Sequence, residues 1–421
     1  FFASCARRLR ATRGCNRSTR WFFFVLMLRF ATAGESHGPA LISILEGMVA
    51  GLPLVAADVD VDLTRRQQGY GRGRRMKIES DHIEFLSGVR AGETLGSPIA
   101  MIIHNRDWKN WQEIMDPAPR APDAEHKRVV TRPRPGHVDL SGMLKYDRDD
   151  ARDVLERASA RETTARVAAG AICRRFLREF DITLGSHIIH LGGVDANRPA
   201  RMPNDINAAS DASELRTLDP DADAEMRARI DAAKSDGNTL GGVAEVICDG
   251  VPVGLGSHVS WDRKLDGRLA AAIMSIPAVK AVEIGLGVEA ARRLGSDVHD
   301  EIDADENNVR AGRVRRRTNR AGGLEGGVTN GEQIVVRASM KPISTLMRPL
   351  GTIEMKTREP AQAVAERSDV TAVPAMGVIA EAMTAFVVAQ ALLEKFGGDS
   401  LAETRRNYDG YISSLSTRKG R

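Results

Sequence analysis

VLERASARETTARVAAGA, residues 154–171, lies at the centre of the strongest helical pattern in the chain, which extends over residues 149–180. Apolar side chains fall there at the spacing of one helix face. They are Ala165, Ala168, Ala169, Ile172 and Phe176. This pattern predicts a long amphipathic helix. A last long helix, with several large apolar side chains available for burial, is expected over residues 377–396.

Strand-like segments alternate with these helices along the chain. They are residues 28–33, 182–190, 243–249, 279–285 and 333–340. Because proline suits the first position of a helix, a further helix is expected to begin near Pro39 and to run through the ALISILEGMVA segment that follows. Alternation of strands and helices indicates a protein of mixed α and β structure.

The composition is that of an ordinary globular protein. Of the 421 residues, 42% are hydrophobic and 28% are charged, and 60 Lys+Arg against 56 Asp+Glu give a net charge of +4. Four Cys are too few to define a disulfide scaffold in a chain of this length. Residues 1–26 contain six Arg and no acidic residue; without them, 54 basic residues face 56 acidic ones and the balance is −2.

The Arg-rich leader, residues 1–26, has two interpretations. A basic segment without acidic residues is typical of a targeting presequence. The alternative, which we favour, is upstream sequence translated from a misplaced start, with Met27 as the first native residue. The apolar run at residues 21–28 is too short to span a bilayer, so a cytoplasmic protein without membrane association is expected.

A single domain is expected over residues 27–399. Within it, residues 196–237 are acidic and rich in Pro, Asp and Asn, and we interpret them as a peripheral excursion with one surface helix, residues 221–234. No role is assigned to this excursion. Residues 400–421 are expected to form a C-terminal tail.

The motif GESHG, residues 34–38, places a histidine beside glycines where a predicted strand ends. Glycine lets the backbone turn sharply, and histidine is the side chain best suited to proton transfer near neutral pH, so His37 is a candidate acid–base group. The motif also matches the G-x-S-x-G nucleophile pattern of α/β-hydrolases, with Ser36 as nucleophile. Because it precedes most of the predicted sheet, the hydrolase interpretation carries little weight. A third interpretation of this motif is a tight turn without a catalytic role.

Two arginine-rich segments indicate a site for an anionic ligand. TRRQQGYGRGRR, residues 64–75, carries five Arg among glycines, and TRPRPGH, residues 131–137, presents Arg132, Arg134 and His137 on a backbone stiffened by proline. Arginine pairs bidentately with phosphate and carboxylate. A solvated basic loop and an RNA-contacting loop remain alternatives for the first segment.

Two further motifs suit a phosphate group. ERASARETTAR, residues 156–166, offers hydroxyls at a helix start, which attracts anions, although ion pairs along the helix face are the alternative. A glycine-rich stretch, residues 322–331, precedes MKPIST, residues 340–345, which supplies one cation and two hydroxyls. That set is suited to a phosphorylated cofactor such as a nucleotide or flavin.

The last motif is ERSDVTAVPA, residues 366–375, in which Arg367 and Asp369 would point to one side of an extended stretch. An arginine beside a carboxylate keeps it ionised, so Asp369 is a candidate base; a weak surface ion pair is the alternative. Together the motifs predict an anion-binding site with two histidines and an aspartate for proton transfer. No metal-ligand cluster is visible in the sequence.

Eight of these segments occur in the order found in the chorismate synthase family, and residues 27–399 resemble that family. They are GESHG, RRQQGYGRGRR, TRPRPGHVDLSGMLKY, VLERASARETTARVAAGA, MSIPAVKAVEIG, NRAGGLEGGVTNG, MKPIST and RSDVTAVPA. The leader has no counterpart in the family. One departure is Leu286-Gly287-Val288, where many relatives have Asp-Gly-Phe.

The resemblance implies an α+β fold, a β-α-β sandwich with central helices between antiparallel sheets, assembled as a homotetramer. It also implies a lyase of the shikimate pathway to the aromatic amino acids. The reaction is the 1,4-anti elimination of phosphate from 5-enolpyruvylshikimate 3-phosphate to give chorismate, with reduced FMN and no net redox change. We see no added reductase domain, so NADPH is expected to act only indirectly, through an external flavin reductase.

The resemblance further implies roles for individual residues. Three would move protons: His37 at the flavin, His137 at the leaving phosphate, and Asp369, acting through the flavin N5, as base for the C6 proton. The substrate anions would be held by Arg66, Arg72, Arg75 and Arg134, with Arg367 between substrate and flavin. The FMN contacts would be Arg157, Ala158, Ser159, Pro277, Ala278, Gly326, Lys341, Pro342, Ile343, Ser344, Thr345 and Arg367.

A nucleic-acid-binding module is the main alternative class, built on GYGRGRR and on VRRRTNR, residues 314–320. Aromatic residues are only 5% of the chain and the balance without the leader is −2, whereas stacking platforms and a basic footprint are expected of such a protein. We therefore expect no nucleic-acid partner. A serine hydrolase using Ser36 is the second alternative.

Overall fold

The protein is described here by a computed structural model that covers residues 28–72, 80–119, 127–364 and 369–417. The predicted leader lies outside the described residues. Within them the α-helices are α1 (Ala56–Gln67), α2 (Asp139–Tyr146), α3 (Arg152–Ala158), α4 (Thr163–Arg178), α5 (Ile206–Ser210), α6 (Pro220–Ser235), α7 (Leu265–Met274), α8 (Val373–Phe396) and α9 (Leu401–Thr417).

The strands of the described residues are short, and most pair with neighbours along the chain. They are β1 (Arg29–Ala33), β2 (Ala40–Glu46), β3 (Ala50–Pro53), β4 (Glu84–Phe85), β5 (Val89–Arg90), β6 (Glu93–Leu95), β7 (Ile99–His104), β8 (Thr183–Leu191), β9 (Val194–Asp195), β10 (Gly242–Asp249), β11 (Val279–Ile284), β12 (Ile302–Ala304), β13 (Val314–Arg316), β14 (Leu324–Glu325), β15 (Val328–Thr329), β16 (Ile334–Met340), β17 (Gly351–Ile353) and β18 (Pro360–Gln362).

One antiparallel sheet has the strand order β1-β2-β7-β4. Its second strand, β2, overturns the expected helix after Pro39. In ALISILE the side chains of Leu41, Ser43 and Leu45 are buried, alternating with more exposed neighbours. That period of two is the period of a strand, and pairing with β1 and β7 on both sides satisfies its backbone. The prediction from Pro39 was wrong because proline precedes the strand instead of opening a helix.

The second large sheet has the order β11-β16-β10-β8-β9 and is also antiparallel. The strands expected at 182–190, 243–249, 279–285 and 333–340 are its members β8, β10, β11 and β16, so these predictions are confirmed.

Helices α1, α4 and α8 form the layer between the two sheets. On one side α4 packs on β2, and on the other α8 packs on β8 and β10. Helices α4 and α8 cross closely, because a Cβ added at Gly170 would lie 2.5 Å from Cβ of Ala382. The expected α+β sandwich with central helices is therefore confirmed.

The long helix expected over residues 149–180 is interrupted. Helix α3 ends at Ala158, and Ser159 is extended, with φ −65° and ψ 146°. The Ser159 hydroxyl accepts a hydrogen bond from the Arg161 N–H, which caps the short 3₁₀ turn that leads into α4. The interruption presents Ser159 to the neighbouring cavity described below.

Helix α8 is long and apolar enough to cross a bilayer by length and composition alone. However, 89% of its apolar window is buried inside the protein, between the two sheets. The same helix carries Glu381, whose carboxylate accepts hydrogen bonds from Arg65 at 2.8 Å and from Ser186 at 2.6 Å. Burial by itself raises the pKa of Glu381, but the guanidinium groups of Arg65 and Arg216 lower it to about 2. Helix α8 is thus a core helix with a buried ion cluster.

The acidic segment 196–237 packs against the domain through α6, whose Met226 and Ile230 are fully buried. The Tyr70 hydroxyl donates to Asp231 at 2.9 Å, so this segment contacts the glycine- and arginine-rich loop. At the end of the chain, α9 packs Tyr408 edge-on against Phe180. The division of the chain into a domain, an excursion and a tail stays a prediction.

Candidate active site

The GESHG motif forms the turn between β1 and β2. Gly34 has φ +105°, and a Cβ there would lie 2.4 Å from the Ala40 carbonyl oxygen, so the turn requires glycine. The Ser36 N–H donates to the Glu156 carbonyl at 2.9 Å, which ties the turn to α3. A nucleophile elbow joins a strand to a helix, whereas this turn joins two strands. Ser36 is also only 3% exposed, so the hydrolase geometry is not present.

His37 lies against a buried carboxylate. Its Nδ1 is 2.8 and 2.9 Å from the two Glu156 oxygens, and its backbone N–H donates to the same carboxylate at 3.0 Å. Arg152 donates to Glu156 at 2.8 Å. Burial by itself raises the pKa of Glu156, but hydrogen bonding to His37 and the charge of Arg152 lower it below its ordinary value. The ring of Trp111 stacks on that of His37 with centroids 3.6 Å apart.

His137 is held in a similar way at the end of the proline-stiffened segment. Its Nδ1 lies 2.5 Å from Asp139, a fully buried residue at the start of α2. The Arg134 Nε donates to the same carboxylate at 2.8 Å, and its Nη1 donates to Thr345 at 2.9 Å. Burial by itself raises the pKa of Asp139, but hydrogen bonds from His137 and Arg134 lower it well below its ordinary value. The carboxylate therefore stays ionised between two donors.

Asp369 pairs with Arg72, whose Nε lies 3.1 Å from its Oδ2. The segments that carry these residues run together, because the Val370 N–H donates to the Gly71 carbonyl at 2.9 Å. The arginine-rich loop and the RSD motif thus meet, although they are almost 300 residues apart in sequence. Arg367, the expected partner of Asp369, lies outside the described residues.

A cavity of about 540 Å³ brings these groups together. That volume falls within the range of small-molecule sites. His37, His137, Asp369 and Arg134 line it, and so do eight of the residues expected at the cofactor, which are Ala158, Ser159, Pro277, Ala278, Lys341, Ile343, Ser344 and Thr345.

The cavity wall contains one strained residue. Ala278 has φ +67°, a conformation that non-glycine residues adopt at a cost of order 1–3 kcal/mol. It is held by the Lys341 N–H, which donates to the Ala278 carbonyl at 3.0 Å. The Lys341 ammonium in turn donates to the Gly136 carbonyl at 2.5 Å. The MKPIST segment, Ala278 and the TRPRPGH segment therefore form one continuous wall.

Other expected site residues lie elsewhere. Arg66 is buried behind the wall and donates to Thr163 at 3.0 Å and to the Ala160 carbonyl at 2.9 Å. Arg157 is bonded to the Thr32 and Gly34 carbonyls. Arg72 lines a neighbouring cavity of about 510 Å³. Two expected residues that do not line the main cavity are Gly326 and Pro342. Arg75 and Arg367 lie outside the described residues.

Sequence reasoning did not find three residues that hold the histidines: Glu156, Asp139 and Trp111. Asp139 follows His137 by two residues within a quoted motif, so proximity alone could have suggested it. Glu156 is 119 residues from His37, and no local pattern connects them. Trp111 lies in the long loop after β7, three residues after Trp108, and two tryptophans in a loop carry no specific pattern.

The basic run at residues 314–320 is neutralised by acidic neighbours. Arg316 pairs with Glu325 at 2.9 Å, and Arg317 pairs with Asp303 at 2.9 Å and also with Glu301. Arginines that already hold carboxylates do not present the basic footprint that nucleic-acid binding requires.

Comparisons with known proteins agree on one family. Residues 28–393 match the family model described as chorismate synthase. The chorismate synthase of Geobacter metallireducens is 56% identical over 92% of this chain and 99% of its own length. That of Saccharopolyspora erythraea is 54% identical over 93% of this chain and 98% of its own length.

A solved structure supports the same assignment. A crystal structure of a chorismate synthase superimposes with a TM-score of 0.75 at 44% identity, covering 93% of this chain and 99% of that one. The resemblance seen in the motifs is thereby confirmed. The chain belongs to the chorismate synthase family of lyases.

Proposed function

We propose that this enzyme converts 5-enolpyruvylshikimate 3-phosphate to chorismate by 1,4-anti elimination of phosphate, with reduced FMN and without net redox change. The observation that carries the proposal is the convergence of His37, His137 and Asp369 on one cavity, together with cations and hydroxyls. Membership of the chorismate synthase family supports it independently.

The cations at the cavity suit a trianionic substrate with one phosphate and two carboxylates. Arg134 and Lys341 line the cavity, and Arg72 pairs with Asp369 from the neighbouring cavity. A guanidinium is suited to phosphate and carboxylate because its donors form a planar fork. Arg75 and Arg367 are expected to add to this set, whereas Arg66 would act from behind the wall by fixing residues 160–163.

The remaining walls fit a flavin mononucleotide. Apolar atoms of Ala158, Pro277 and Ala278 suit a flat ring, while Ser344 and Thr345 supply hydroxyls beside Lys341 for a phosphate. Gly136 has φ +75°, and a Cβ there would approach the Lys341 ammonium to 3.3 Å, so glycine keeps this part of the cavity open. When bound, reduced FMN would supply electron density to the substrate as phosphate leaves. Arg157, Pro342, Gly326 and Ile343 remain expected contacts.

The three titratable groups would divide the proton chemistry. With Nδ1 on Asp139, His137 has Nε2 as the atom from which a proton would pass to the leaving phosphate. His37, with Nδ1 on Glu156, would similarly use Nε2 at the flavin. Asp369, held beside the Arg72 guanidinium, would be the final acceptor, on a carboxylate oxygen, of the proton that leaves C6.

The wider setting is also proposed. A homotetramer is what the family resemblance implies, and association would cover large apolar side chains that a single chain exposes; they include Val259, Trp261, Val288 and Leu294. We propose a cytoplasmic enzyme in the shikimate pathway, whose flavin is reduced by an external reductase, so that NADPH acts only indirectly.

An anaerobic turnover assay tests the proposal. Purified protein, 5-enolpyruvylshikimate 3-phosphate and photoreduced FMN are mixed, and phosphate and chorismate are measured together. Equal amounts of both products are expected, and none with oxidised FMN. Folded protein that forms neither product would overturn the proposal.

The variant Asp369→Ala sharpens the test. Turnover is expected to fall by about 10²- to 10⁴-fold, the usual contribution of a positioned base, while FMN binding, measured by flavin fluorescence, is retained. Unchanged turnover would remove Asp369 from its role as base.

A further inference from the structure

His37 lines the main cavity and also belongs to a closed ring of contacts with Glu156, Arg152 and Trp111. The Glu156 carboxylate accepts hydrogen bonds from both the imidazole and the backbone N–H of His37, at 2.8 and 3.0 Å. The Glu156 side chain is only 2% exposed. A carboxylate buried this deeply gains most from partners in fixed positions.

Trp111 is the second member of this closed ring of contacts. Its indole lies nearly parallel to the His37 imidazole, at an interplanar angle of 21°. The indole N–H donates to Asp107 at 2.9 Å, and the Arg128 guanidinium lies 4.2 Å from the Trp111 ring centroid. Trp111 is thus fixed in its own plane and limits the tilt of His37.

Arg152 closes the ring. It donates to Glu156 at 2.8 Å and to the Arg128 carbonyl at 2.8 Å, and its guanidinium carbon is 5.3 Å from the Trp111 ring centroid. One side chain therefore links the carboxylate that holds His37 with the indole that stacks on it.

A second buried His–Glu pair shows what this arrangement adds. His187 and Glu245 are 3.2 Å apart on the second sheet, with side chains 2% and 1% exposed. No aromatic ring contact to His187 is found among the described residues, and neither residue lines the main cavity. That pair has the contacts of a structural ion pair, whereas His37 has a defined ring plane and faces the cavity.

We propose that Glu156 is the positioning residue of His37, with Trp111 and Arg152 holding the pair in one orientation. The carboxylate keeps a proton on Nδ1, as carboxylates do for histidines whose other nitrogen has a task. Nε2 is then the nitrogen that exchanges a proton in the cavity. The consequence for catalysis rests on the proposed function; the consequence for the histidine tautomer does not.

The tautomer is measured on the free protein. Two-bond ¹H–¹⁵N spectra of protein labelled with ¹⁵N-histidine, recorded near pH 9, show which ring nitrogen carries the proton, and His37→Asn assigns the signals. Wild-type His37 is expected to be protonated at Nδ1. In Glu156→Gln that preference is lost, because an amide can donate to Nδ1 as well as accept from it.

Glu245→Gln is the matched control, because it also removes a buried carboxylate from a histidine. It is expected to leave the His37 signals unchanged. Protonation of wild-type His37 at Nε2 would overturn the proposal, and so would a Glu156→Gln spectrum identical to that of the wild type. The wild-type spectrum decides the matter alone if Glu156→Gln does not fold.

Kinetics provide the second readout. Glu156→Gln is expected to lower kcat by at least about 10- to 100-fold, the effect of removing the carboxylate that orients a metal-bound histidine. KM is expected to stay within about threefold, since Glu156 does not line the main cavity. A change in KM alone would contradict a positioning role. Absence of turnover in the wild type would count against the proposed function and leave the tautomer result standing.

Discussion

The two histidines of the cavity are held by similar groups that have different connections. Each places Nδ1 on a buried carboxylate that an arginine also contacts; the groups are Glu156 and Arg152 for His37, and Asp139 and Arg134 for His137. Arg134 lines the cavity and also reaches Thr345, whereas Arg152 does not line it. Under the proposed function, the cluster around His137 would couple anion contact to proton transfer, and the cluster around His37 would separate them.

Asp139→Asn should distinguish the two clusters most strongly. The substitution frees Arg134 and His137 at once, so kcat is expected to fall and KM to rise, with a combined loss in kcat/KM of about 10³-fold or more. Steady-state phosphate release under anaerobic conditions measures both constants. Glu156→Gln is the counterpart, with a change in kcat only. The same changes in kcat and KM in both variants would show that the clusters do not differ.

Replacing each of the two histidines with alanine separates their roles. His137→Ala and His37→Ala are each expected to lower kcat by about 10²- to 10⁴-fold, as for the loss of a positioned acid. His37→Ala is also expected to weaken FMN binding by about tenfold, or roughly 1.4 kcal/mol, while His137→Ala leaves it unchanged. Flavin fluorescence titration measures the binding. Weaker FMN binding in His137→Ala alone would reverse the assignment.

Arg134→Lys tests the anion contact with charge preserved. Lysine cannot reproduce the fork that joins Asp139 and Thr345, so KM is expected to rise about tenfold. Arg132, which lies in the same proline-stiffened run and is exposed, supplies the control. Arg132→Lys is expected to change KM by less than about twofold, and equal effects of both variants would exclude a specific role for Arg134.

Acid sensitivity gives the smallest expected difference. The pKa of Asp139 and that of Glu156 are lowered in the folded protein, so their contribution to stability is complete above the ordinary carboxyl pKa and is lost as pH falls below it. Urea unfolding at pH 5, 4 and 3 measures this loss. Asp139→Asn is expected to reduce the loss by about 1 kcal/mol, and Glu156→Gln is expected to reduce a loss that begins at higher pH, because the ordinary pKa of glutamate is above that of aspartate. If the free energy of unfolding fell as steeply with acid in both variants as in the wild type, the lowered pKa values would be contradicted.

The sequence predicted the histidines but not their supports, and the reason is distance along the chain. His37, His137 and Asp369 stand in short motifs whose chemistry can be read locally. Glu156 reaches His37 only because α3 returns to the turn between β1 and β2. Arg72 reaches Asp369 in the same way, across two distant segments. Such contacts depend on the tertiary fold, which no local pattern contains.

The fold, like the candidate site, was predictable only in part. Strands β8, β10, β11 and β16 follow from their apolar runs. Strand β2 did not, because a short apolar run such as ALISILE fits a buried helix or a strand equally well. The close approach of Gly170 to Ala382 was not predicted, because only the crossing of α4 and α8 brings the two residues together. The layer order came from the resemblance to a family.

The positions of both ligands are measured by a crystal structure with 5-enolpyruvylshikimate 3-phosphate and FMN bound. We expect both molecules in the cavity, with the substrate phosphate against His137 and Arg134 and the flavin against His37. A phosphate bound at His37 instead, or either molecule bound outside the cavity, would contradict this expectation.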